Sequence, residues 1–452
     1  MTGIYTRLVS TLLFPLHERL KKHDTVAIKA QLEKSQWLPT EKIMQTQAER
    51  LQLFIGKIIE DVPYYKALFD ELGLSSSDIK SVADLHKLPF LDKPTIRENY
   101  SALKSNQAGA VSSFTTGGSS GTPLTFLLGD ERVSHDVAEK WRATRWWDVD
   151  IGDKEIVAWG SPIELGAQDK VRILRDKLFR STLIPAFDVD ESKLLGFIDR
   201  IKGIEPQMLF GYPSVFSLIA KVALSHNIDL TQLGIKVVFV TSERLYPYQR
   251  EVIEKAFGAP VANGYGSRDA GFIAHQCPSG SMHISAEDLI VEIIDKDGNV
   301  VADGEKGEIV ITHMATSDFP FVRYRTGDIA ALDTKSCACG RGLPVLKDIE
   351  GRTTDFVVAA NGTMMHGLAL IYILRELDGI EEFKIIQESK LHTRVDIVPA
   401  KGNSISKEIT DDIVSGFKAR LGEEVVVDVE IVTEIAAEKS GKFRYVISKV
   451  AS

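Results

Sequence analysis

The sequence is poor in the features that mark several protein classes. It has three cysteines among 452 residues, too few for a disulfide-stapled secreted protein, which favours the cytoplasm. It has no apolar run of about 18 residues, so we expect no membrane span. It also lacks an excess of positive charge. The net charge of −9 argues against a general nucleic-acid binder, although an acidic protein can hold a local basic pocket for a nucleotide.

The composition is typical of a globular protein, with 44% hydrophobic and 26% charged residues. A chain of 452 residues is too long for one ordinary core, so two or three domains are expected. Residues 8–16 are rich in leucine but lack the small-residue cleavage site of a signal peptide. They predict an amphipathic helix packed on the body of the protein, with a membrane-surface anchor as the alternative.

The order of patterns along the chain predicts an α/β fold. Residues 1–105 have the character of polar-faced helices, and beyond them short apolar strands alternate with helical patterns, as in a layered α/β body. Strands separated by turns at 283–332 indicate an attached β subdomain, antiparallel or mixed. After a boundary near 351, a β-α-β-β-α-β pattern predicts a small α+β domain. We therefore predict a large N-terminal domain, 1–351, and a C-terminal domain, 352–452.

A glycine-rich stretch at 114–124 is the first candidate site. It sets three glycines among hydroxyl side chains, which suits a loop that cradles phosphate through N–H and O–H donors. It lacks the Gly-Lys-Ser/Thr ending of a P-loop, because Thr122 and Pro123 follow Gly121, and it lacks dinucleotide-binding spacing. By itself the stretch is equally consistent with a surface turn.

Four further segments offer chemistry that fits a nucleotide. A glycine-rich turn at 264–271 holds an aromatic ring and a carboxylate, and residues 324–328 present a carboxylate suited to ribose hydroxyls. A Gly-Arg pair at 351–352 lies at the predicted boundary, and a lysine on a short loop lies at 440–444. Each segment is ordinary alone.

Together, in this order, these segments resemble the adenylate-forming superfamily of acyl-CoA ligases, luciferases and peptide-synthetase adenylation domains. The closer resemblance is to the phenylacetate-CoA ligase-like family, in its capsular-polysaccharide branch. It covers nearly the whole chain and includes the segments 35–38, 62–65, 210–214, 241–243 and 339–342. Such enzymes rotate the small domain between half-reactions, which places a hinge near Thr354 and Asp355.

The resemblance implies a role for each site residue. The phosphates of ATP would lie on the glycine loop: Thr115, Thr116, Gly117, Gly118, Ser119, Ser120 and Gly121. The adenine would lie beside Ser242, Glu243, Gly264, Tyr265 and Gly266, with the Tyr265 ring stacked on it. Asp269 would hold Mg²⁺, Asp328 the ribose, and Arg352 the ribose or a phosphate. Lys442 would bridge the acid and the α-phosphate, so Lys442, Thr116 and Asp269 are the predicted catalytic residues.

Two positions and one segment depart from the family pattern. Thr354 stands where many relatives have an acidic hinge residue, Thr122 where many have lysine, and residues 362–367 replace a segment used near the thiol of CoA. Adenylation is therefore predicted to be intact, while CoA as the acceptor stays open.

We expect an ATP- and Mg²⁺-dependent ligase that passes a carboxylic acid to an amine or a sugar hydroxyl in polysaccharide biosynthesis. A phenylacetate-type CoA ligase and a catalytically silent nucleotide-binding partner of a polysaccharide assembly complex are the alternatives; the acid and the oligomeric state stay open.

The three cysteines and a histidine predict a structural zinc site. Cys337 and Cys339 form a Cys-x-Cys pair, and His275 precedes Cys277 by two residues, so Cys₃His is one natural zinc set. His283 is the alternative fourth ligand. Three unligated thiols in a reducing compartment are the other interpretation.

Overall fold

The computed structural model describes residues 3–115, 124–159, 170–185, 191–350, 356–362, 364–375, 377–400, 403–435 and 446–450. The first part is helical, as expected. Its elements are α1 (Ile4–Leu8), a π-helical turn (Val9–Leu13), α2 (Phe14–Leu20), α3 (Thr25–Ser35), α4 (Thr40–Asp61), α5 (Pro63–Leu72), α6 (Lys93–Glu98), α7 (Tyr100–Leu103) and 3₁₀ turns at Ser76–Asp78 and Val82–Lys87. Local sequence sets several ends: Pro63 begins α5, and Gly73, at φ +63°, ends it.

A hairpin and a large sheet follow. The hairpin pairs β1 (Val111–Thr115) with β2 (Thr125–Gly129). The sheet strands are β3 (Glu155–Trp159), β4 (Ser181–Pro185), β5 (Met208–Gly211), β6 (Val237–Thr241), β7 (Val261–Ser267), β8 (Gly271–Gln276), β9 (Met282–Ile284), β10 (Leu289–Ile294), β11 (Gly307–His313), β12 (Phe321–Leu332) and β13 (Val345–Glu350). The accompanying helices are α8 (Asp130–Arg145), α9 (Lys170–Phe179), α10 (Glu191–Ile204), α11 (Pro213–Ser225), α12 (Pro247–Phe257) and a 3₁₀ turn at Thr231–Leu233.

Within the described residues these eleven strands form one sheet in the order β10-β11-β12-β13-β9-β8-β7-β6-β5-β3-β4. At one end of this order, the neighbouring strands β4, β3, β5, β6 and β7 are parallel. From β7 to β10 at the other end, every neighbouring pair is antiparallel. The β region predicted at 283–332 is antiparallel, and it extends the sheet of the α/β body rather than standing apart from it.

The parallel strands are apolar on both faces because helices cover both sides of the sheet. Val237 and Phe239 of β6 belong to one hydrophobic core, and Val238 and Val240 belong to the other. The helical segment at 1–105 packs on the first core, and its Leu91 exchanges backbone hydrogen bonds with β12.

The residues after 355 form their own sheets and core. Their elements are β14 (Phe356–Val358), β15 (Met364–His366), α13 (Leu368–Arg375), β16 (Ile380–Ser389), β17 (His392–Pro399), α14 (Lys407–Leu421), β18 (Val426–Ile431) and β19 (Val446–Ser448). The four-stranded sheet has the order β18-β17-β16-β19. The buried amide of Gln387 bonds both the N–H and the C=O of Val358, which ties β14 to β16. The predicted boundary at 351/352 falls in a segment outside the described residues and stays a prediction.

Among the described helices, none combines the length and the hydropathy needed to cross a membrane.

Candidate nucleotide-binding site

Several predicted site residues meet at one edge of the sheet. The carboxyl ends of β5, β6 and β7 share this edge, which is where ligands bind in open α/β sheets. Ser242 directly follows β6 and has φ +70°, an uncommon value for a residue with a side chain and one often found at functional sites. Glu243 accepts a hydrogen bond from the backbone N–H of Ser214 at the start of α11, 3.2 Å away. Both predicted adenine neighbours are therefore held at this edge.

The glycines of the β7–β8 hairpin are required by close packing. A Cβ on Gly266 would lie 2.3 Å from the carbonyl oxygen of Gly271, and a Cβ on Gly264 would lie 2.8 Å from the Phe239 ring. The pairing of β7 with β8 also shifts register between Tyr265 and Gly266. Such an irregularity re-aims side chains next to a site. The motif glycines thus shape the turn that presents the Tyr265 ring.

Tyr265 and Asp328 are in direct contact. The tyrosine hydroxyl donates to Asp328 Oδ2 at 2.8 Å. Asp328 lies just after Gly327, which has φ +80°, and its backbone N–H donates to Thr326 Oγ1 at 3.1 Å. The predicted adenine neighbour and the predicted ribose ligand are therefore adjacent, although 63 positions separate them.

Asp269 is buried and held by two hydroxyl groups. Its Oδ2 accepts a hydrogen bond from Tyr324 Oη at 2.6 Å, and its Oδ1 accepts one from Ser267 Oγ. The same Ser267 oxygen accepts from the backbone N–H of Ala270, which closes the turn. Carboxylate oxygens are the ligands that Mg²⁺ prefers, and hydroxyl donors behind such a ligand fix its orientation. The geometry fits the predicted magnesium role of Asp269.

Several predicted residues lie outside the described part of the chain: Thr116, Gly117, Gly118, Ser119, Ser120, Gly121, Arg352 and Lys442. Their roles stay predictions. Thr115 ends β1 and faces Thr125 across the hairpin, with the two Oγ1 atoms 3.4 Å apart. The Arg268 guanidinium lies 5.7 Å from the centroid of the Phe114 ring, so the β7–β8 turn contacts the strand that leads into the glycine stretch.

A row of aromatic rings lies beside this edge. Trp159 stacks on Tyr212 with centroids 4.8 Å apart, Phe210 stacks on Phe239 at 5.8 Å, and His275 follows at 6.1 Å from Phe239. Burial lowers the pKa of His275 to about 3, so its imidazole is neutral. Among the described residues, neither of its ring nitrogens has a hydrogen-bond partner. Phe210, Phe239 and His275 are buried, so these rings form part of the hydrophobic core beneath the edge.

The three cysteines lie together with a histidine. The ligand atoms of Cys277, His283, Cys337 and Cys339 are all within 4.8 Å of one another. Cys277 Sγ is 3.6 Å from Cys337 Sγ, near the ~3.8 Å expected for two thiolates on one tetrahedral zinc with Zn–S bonds of ~2.3 Å. His283 Nε2 is 3.2 Å from Cys339 Sγ, while its Nδ1 donates to the Leu343 carbonyl at 3.1 Å. That bond leaves the Nε2 lone pair facing the thiols.

The histidine that lies with the three cysteines is therefore His283, the alternative, and the structure does not bring His275 into this cluster. The two histidines are opposite each other on β8 and β9. However, the His275 ring stacks on Phe272 at 5.5 Å, whereas the His283 ring packs edge-on against Trp146 and points Nε2 at Cys339. Strand β9 also pairs with β13, which brings His283 beside the loop that carries Cys337 and Cys339.

Comparisons with known proteins find two family models and several relatives of this chain. A family model described as AMP-binding enzyme matches residues 180–317, and one described as CapK C-terminal domain matches 357–449. Protein CapK of Staphylococcus aureus is 25% identical over 421 residues, 90% of each chain. Phenylacetate-coenzyme A ligase of Thermus thermophilus is 23% identical over 408 residues, 86% of each.

The chain is an adenylate-forming ligase. Over most of its length it is similar to phenylacetate-coenzyme A ligases and to Protein CapK. Among solved structures, 2-hydroxyisobutyryl-CoA ligase with 2-HIB-AMP and CoA in the thioesterification state matches with a TM-score of 0.66 at 20% identity, covering 92% of each chain. This last likeness concerns the fold.

Sequence reasoning missed two residues that support the site of the ligase. Tyr324 lies in a predicted segment, but nothing in its spacing pointed to Asp269, 55 positions away. Arg132 of α8 is buried, and its guanidinium approaches the carbonyl oxygens of Arg268 and Asp269 at 3.4 and 3.5 Å. A lone arginine in a charged helix carries no motif. Its position behind the turn depends on how α8 packs on β8.

Proposed function

We propose that the ligase activates a carboxylic acid with ATP and Mg²⁺ and passes the acyl group to an amine or hydroxyl of a cell-surface polysaccharide precursor. The observation that carries this proposal is the turn at 264–269, whose Tyr265 contacts Asp328 and whose Asp269 is oriented by Tyr324. One end of this arrangement suits a nucleoside and the other suits a metal-bound phosphate.

In the first step a carboxylate oxygen of the acid attacks the α-phosphorus of ATP. The bond from that phosphorus to the bridging oxygen breaks, and pyrophosphate leaves with the electron pair. Like charges approach in this step, so cations and oriented donors accelerate it. Mg²⁺ held by Asp269 would neutralise part of the phosphate charge. We assign the remaining donors to the glycine loop and to Lys442, a compact charge on a long side chain.

In the second step a nucleophile attacks the acyl carbon, and AMP leaves. The relatives leave the acceptor open, because phenylacetate-coenzyme A ligases and Protein CapK are both among them. Residues 362–367 differ from the segment expected near the thiol of CoA, and this difference favours an amine or a sugar hydroxyl. A phenylacetate-type CoA ligase is the second candidate.

We also propose that Cys277, His283, Cys337 and Cys339 hold a structural Zn²⁺. The donor set and the short distances between its atoms support it. Four protein ligands would leave no open coordination position for catalysis. The ion would join the β8–β9 turn to the loop before β13. That loop also contacts the helical segment at 1–105 and the end of α8. The Arg341 guanidinium lies 4.7 Å from the Trp37 ring centroid and 4.5 Å from that of Trp146.

The test of the ligase function is acid-dependent release of pyrophosphate from ATP and Mg²⁺. Aryl acids, amino acids and uronic acids are screened with and without CoA, and Lys442→Ala serves as the inactive control. We expect at least one acid to be adenylated and CoA to leave its turnover unchanged.

Other outcomes separate the alternatives. A sharp increase with CoA and formation of acyl-CoA would establish the CoA ligase. Absence of pyrophosphate with every acid, while ATP still binds, would instead favour a silent nucleotide-binding partner. An unchanged adenylation rate in Lys442→Ala would contradict the role of that lysine.

A further inference from the structure

A row of apolar side chains is exposed along the first helical segment. Ile4, Leu8, Leu12, Leu16 and Leu20 recur at every fourth position, and each exposes at least 42% of its surface. Other residues of the same segment are buried, including Val9 and Phe14, which pack in a small core with Ile151. The segment therefore has one apolar face on the protein and a second that faces outward.

The π-helical turn at Val9–Leu13 keeps this row on one face. In a regular α-helix a spacing of four drifts around the axis, because one turn takes 3.6 residues. A π-helix bonds each residue to the fifth along and so has more residues per turn, which offsets the drift. The π turn therefore aligns leucines that a continuous α-helix would spread over a wider arc.

Helix α9 adds further exposed apolar residues beside this row. Its end packs on the same segment: Tyr5 Oη donates to the Leu178 carbonyl at 3.0 Å, and the Phe179 ring lies 5.9 Å from Phe14. Ile173, Leu174 and Leu178 are exposed to a similar degree. Two neighbouring helices thus present large apolar side chains, a feature that marks an interaction site more often than a bare surface.

The charges around these apolar residues are mostly positive, in contrast to the whole protein. The two stretches at 4–22 and 172–180 contain eight basic and two acidic residues: Arg7, Arg19, Lys21, Lys22, Arg172, Arg175, Lys177 and Arg180, with Glu18 and Asp176. Glu18 is buried, and Asp176 forms an ion pair with Arg175. These two stretches are therefore basic in a protein whose net charge is −9, and they are the stretches that carry the exposed apolar residues.

We propose that this surface, residues 4–22 with residues 172–180, binds the face of an anionic lipid bilayer. An amphipathic helix lies in the interface with its apolar side chains below the headgroups and its lysines and arginines beside the lipid phosphates. The binding is peripheral. It holds the ligase at a membrane without a spanning helix and does not depend on which acid or acceptor the ligase uses.

Charge selects this occupant over a second copy of the chain. In a symmetric dimer the same patch meets itself, which would bring two basic clusters together. The remaining surface of the protein is acidic overall, but it does not offer a bilayer's continuous apolar layer to leucines spaced along a whole helix. An anionic membrane complements both the charge and the apolar row.

The experiment measures sedimentation of the full-length protein with lipid vesicles. Wild type should bind vesicles of phosphatidylcholine with phosphatidylglycerol, bind vesicles of phosphatidylcholine alone much more weakly, and be released in part by salt. The double variant Leu12→Ser, Leu16→Ser should lower the partition coefficient by about tenfold or more, because two exposed leucines that would enter the bilayer are lost. Lys21→Gln with Lys22→Gln should lower it by roughly fivefold per charge.

Matched controls use similar residues elsewhere. Leu53→Ser with Leu391→Ser removes two exposed leucines, and Lys66→Gln with Lys390→Gln removes two exposed lysines; both should bind as wild type does. The proposal is overturned if wild type does not bind the anionic vesicles, or if the controls lose as much binding as the test variants. A wild-type dimer that Leu12→Ser, Leu16→Ser converts to a monomer would assign the surface to a second copy.

Discussion

Two hydrogen bonds connect the β7–β8 turn to β12 reciprocally. Tyr265 donates to Asp328, and Tyr324 donates to Asp269, so each segment provides one tyrosine and one aspartate four positions apart. The first pair would hold the nucleoside and the second the metal. Movement of either segment would disturb both functions, which makes the two bonds a direct way to test the site.

Tyr265→Phe should weaken ATP binding by about tenfold, because it removes a hydrogen bond to a carboxylate and keeps the ring. Tyr265→Ala should weaken it further through loss of the stacking surface. Titration calorimetry with ATP measures both without knowledge of the acid. Tyr5→Phe removes a hydroxyl bond far from the turn and should not change the affinity. Unchanged affinity in Tyr265→Phe would show that the contact with Asp328 does not support the nucleoside.

Tyr324→Phe should raise the Mg²⁺ concentration needed for pyrophosphate release by roughly 10- to 100-fold, because Asp269 loses one of its two orienting hydroxyl donors. High Mg²⁺ should restore the rate. Asp269→Asn should lose about 10²- to 10³-fold in rate, and added Mg²⁺ should not restore it. Tyr65→Phe is the control, since Tyr65 is also buried and bonded to a backbone carbonyl, that of Pro320. If neither site variant alters the Mg²⁺ dependence, Asp269 is not the magnesium ligand.

Zinc analysis of protein purified without a metal column should find about one ion per chain, the content of one Cys₃His site. Cys337→Ser and His283→Ala should lose the ion and lower the melting temperature, as should a strong chelator. His275→Gln separates the two candidate histidines, because it should retain the ion. Loss of zinc in His275→Gln alone would restore the ligand set first predicted from the sequence.

The burial of His313 leads us to expect that the free energy of unfolding decreases in mild acid. It is buried beside Arg132, His135 and Arg50, and burial, the largest cause, holds its pKa well below the ordinary value. A lowered histidine pKa means that the unfolded chain takes up a proton first. The contribution of neutral His313 to the free energy of unfolding is therefore complete above a pH of about 6.5. Below that pH the contribution decreases by up to about 1.4 kcal/mol per pH unit.

The measurement is urea unfolding at about pH 7.5 and about pH 5.5. Wild type should lose roughly 1.3 kcal/mol more than His313→Asn between these values. His86→Asn changes an exposed histidine and should behave as wild type. Equal losses in wild type and His313→Asn would contradict this origin of the pH dependence.

Local sequence signals were enough to predict several elements of the fold. The alternation of short apolar strands with helices beyond residue 105 was predicted and is observed, and Pro213 and Pro247 begin α11 and α12, because proline suits the first helical position. The order of the nucleotide motifs also lies in the sequence, and the resemblance to adenylate-forming enzymes follows from it. Hydrophobic periodicity, glycine and proline act over a few residues, so their effects can be recognised without knowledge of the tertiary structure.

The tertiary structure decided which of these residues meet. The choice of His283 over His275 depends on the pairing of β9 with β13, and the contact of Tyr265 with Asp328 depends on how β12 reaches the β7–β8 turn. The outward row from Ile4 to Leu20 is visible as leucines in the sequence, but which face is buried depends on packing against Phe179 and Ile151. Pairing between distant strands and helices sets these distances, and spacing along the chain does not encode it.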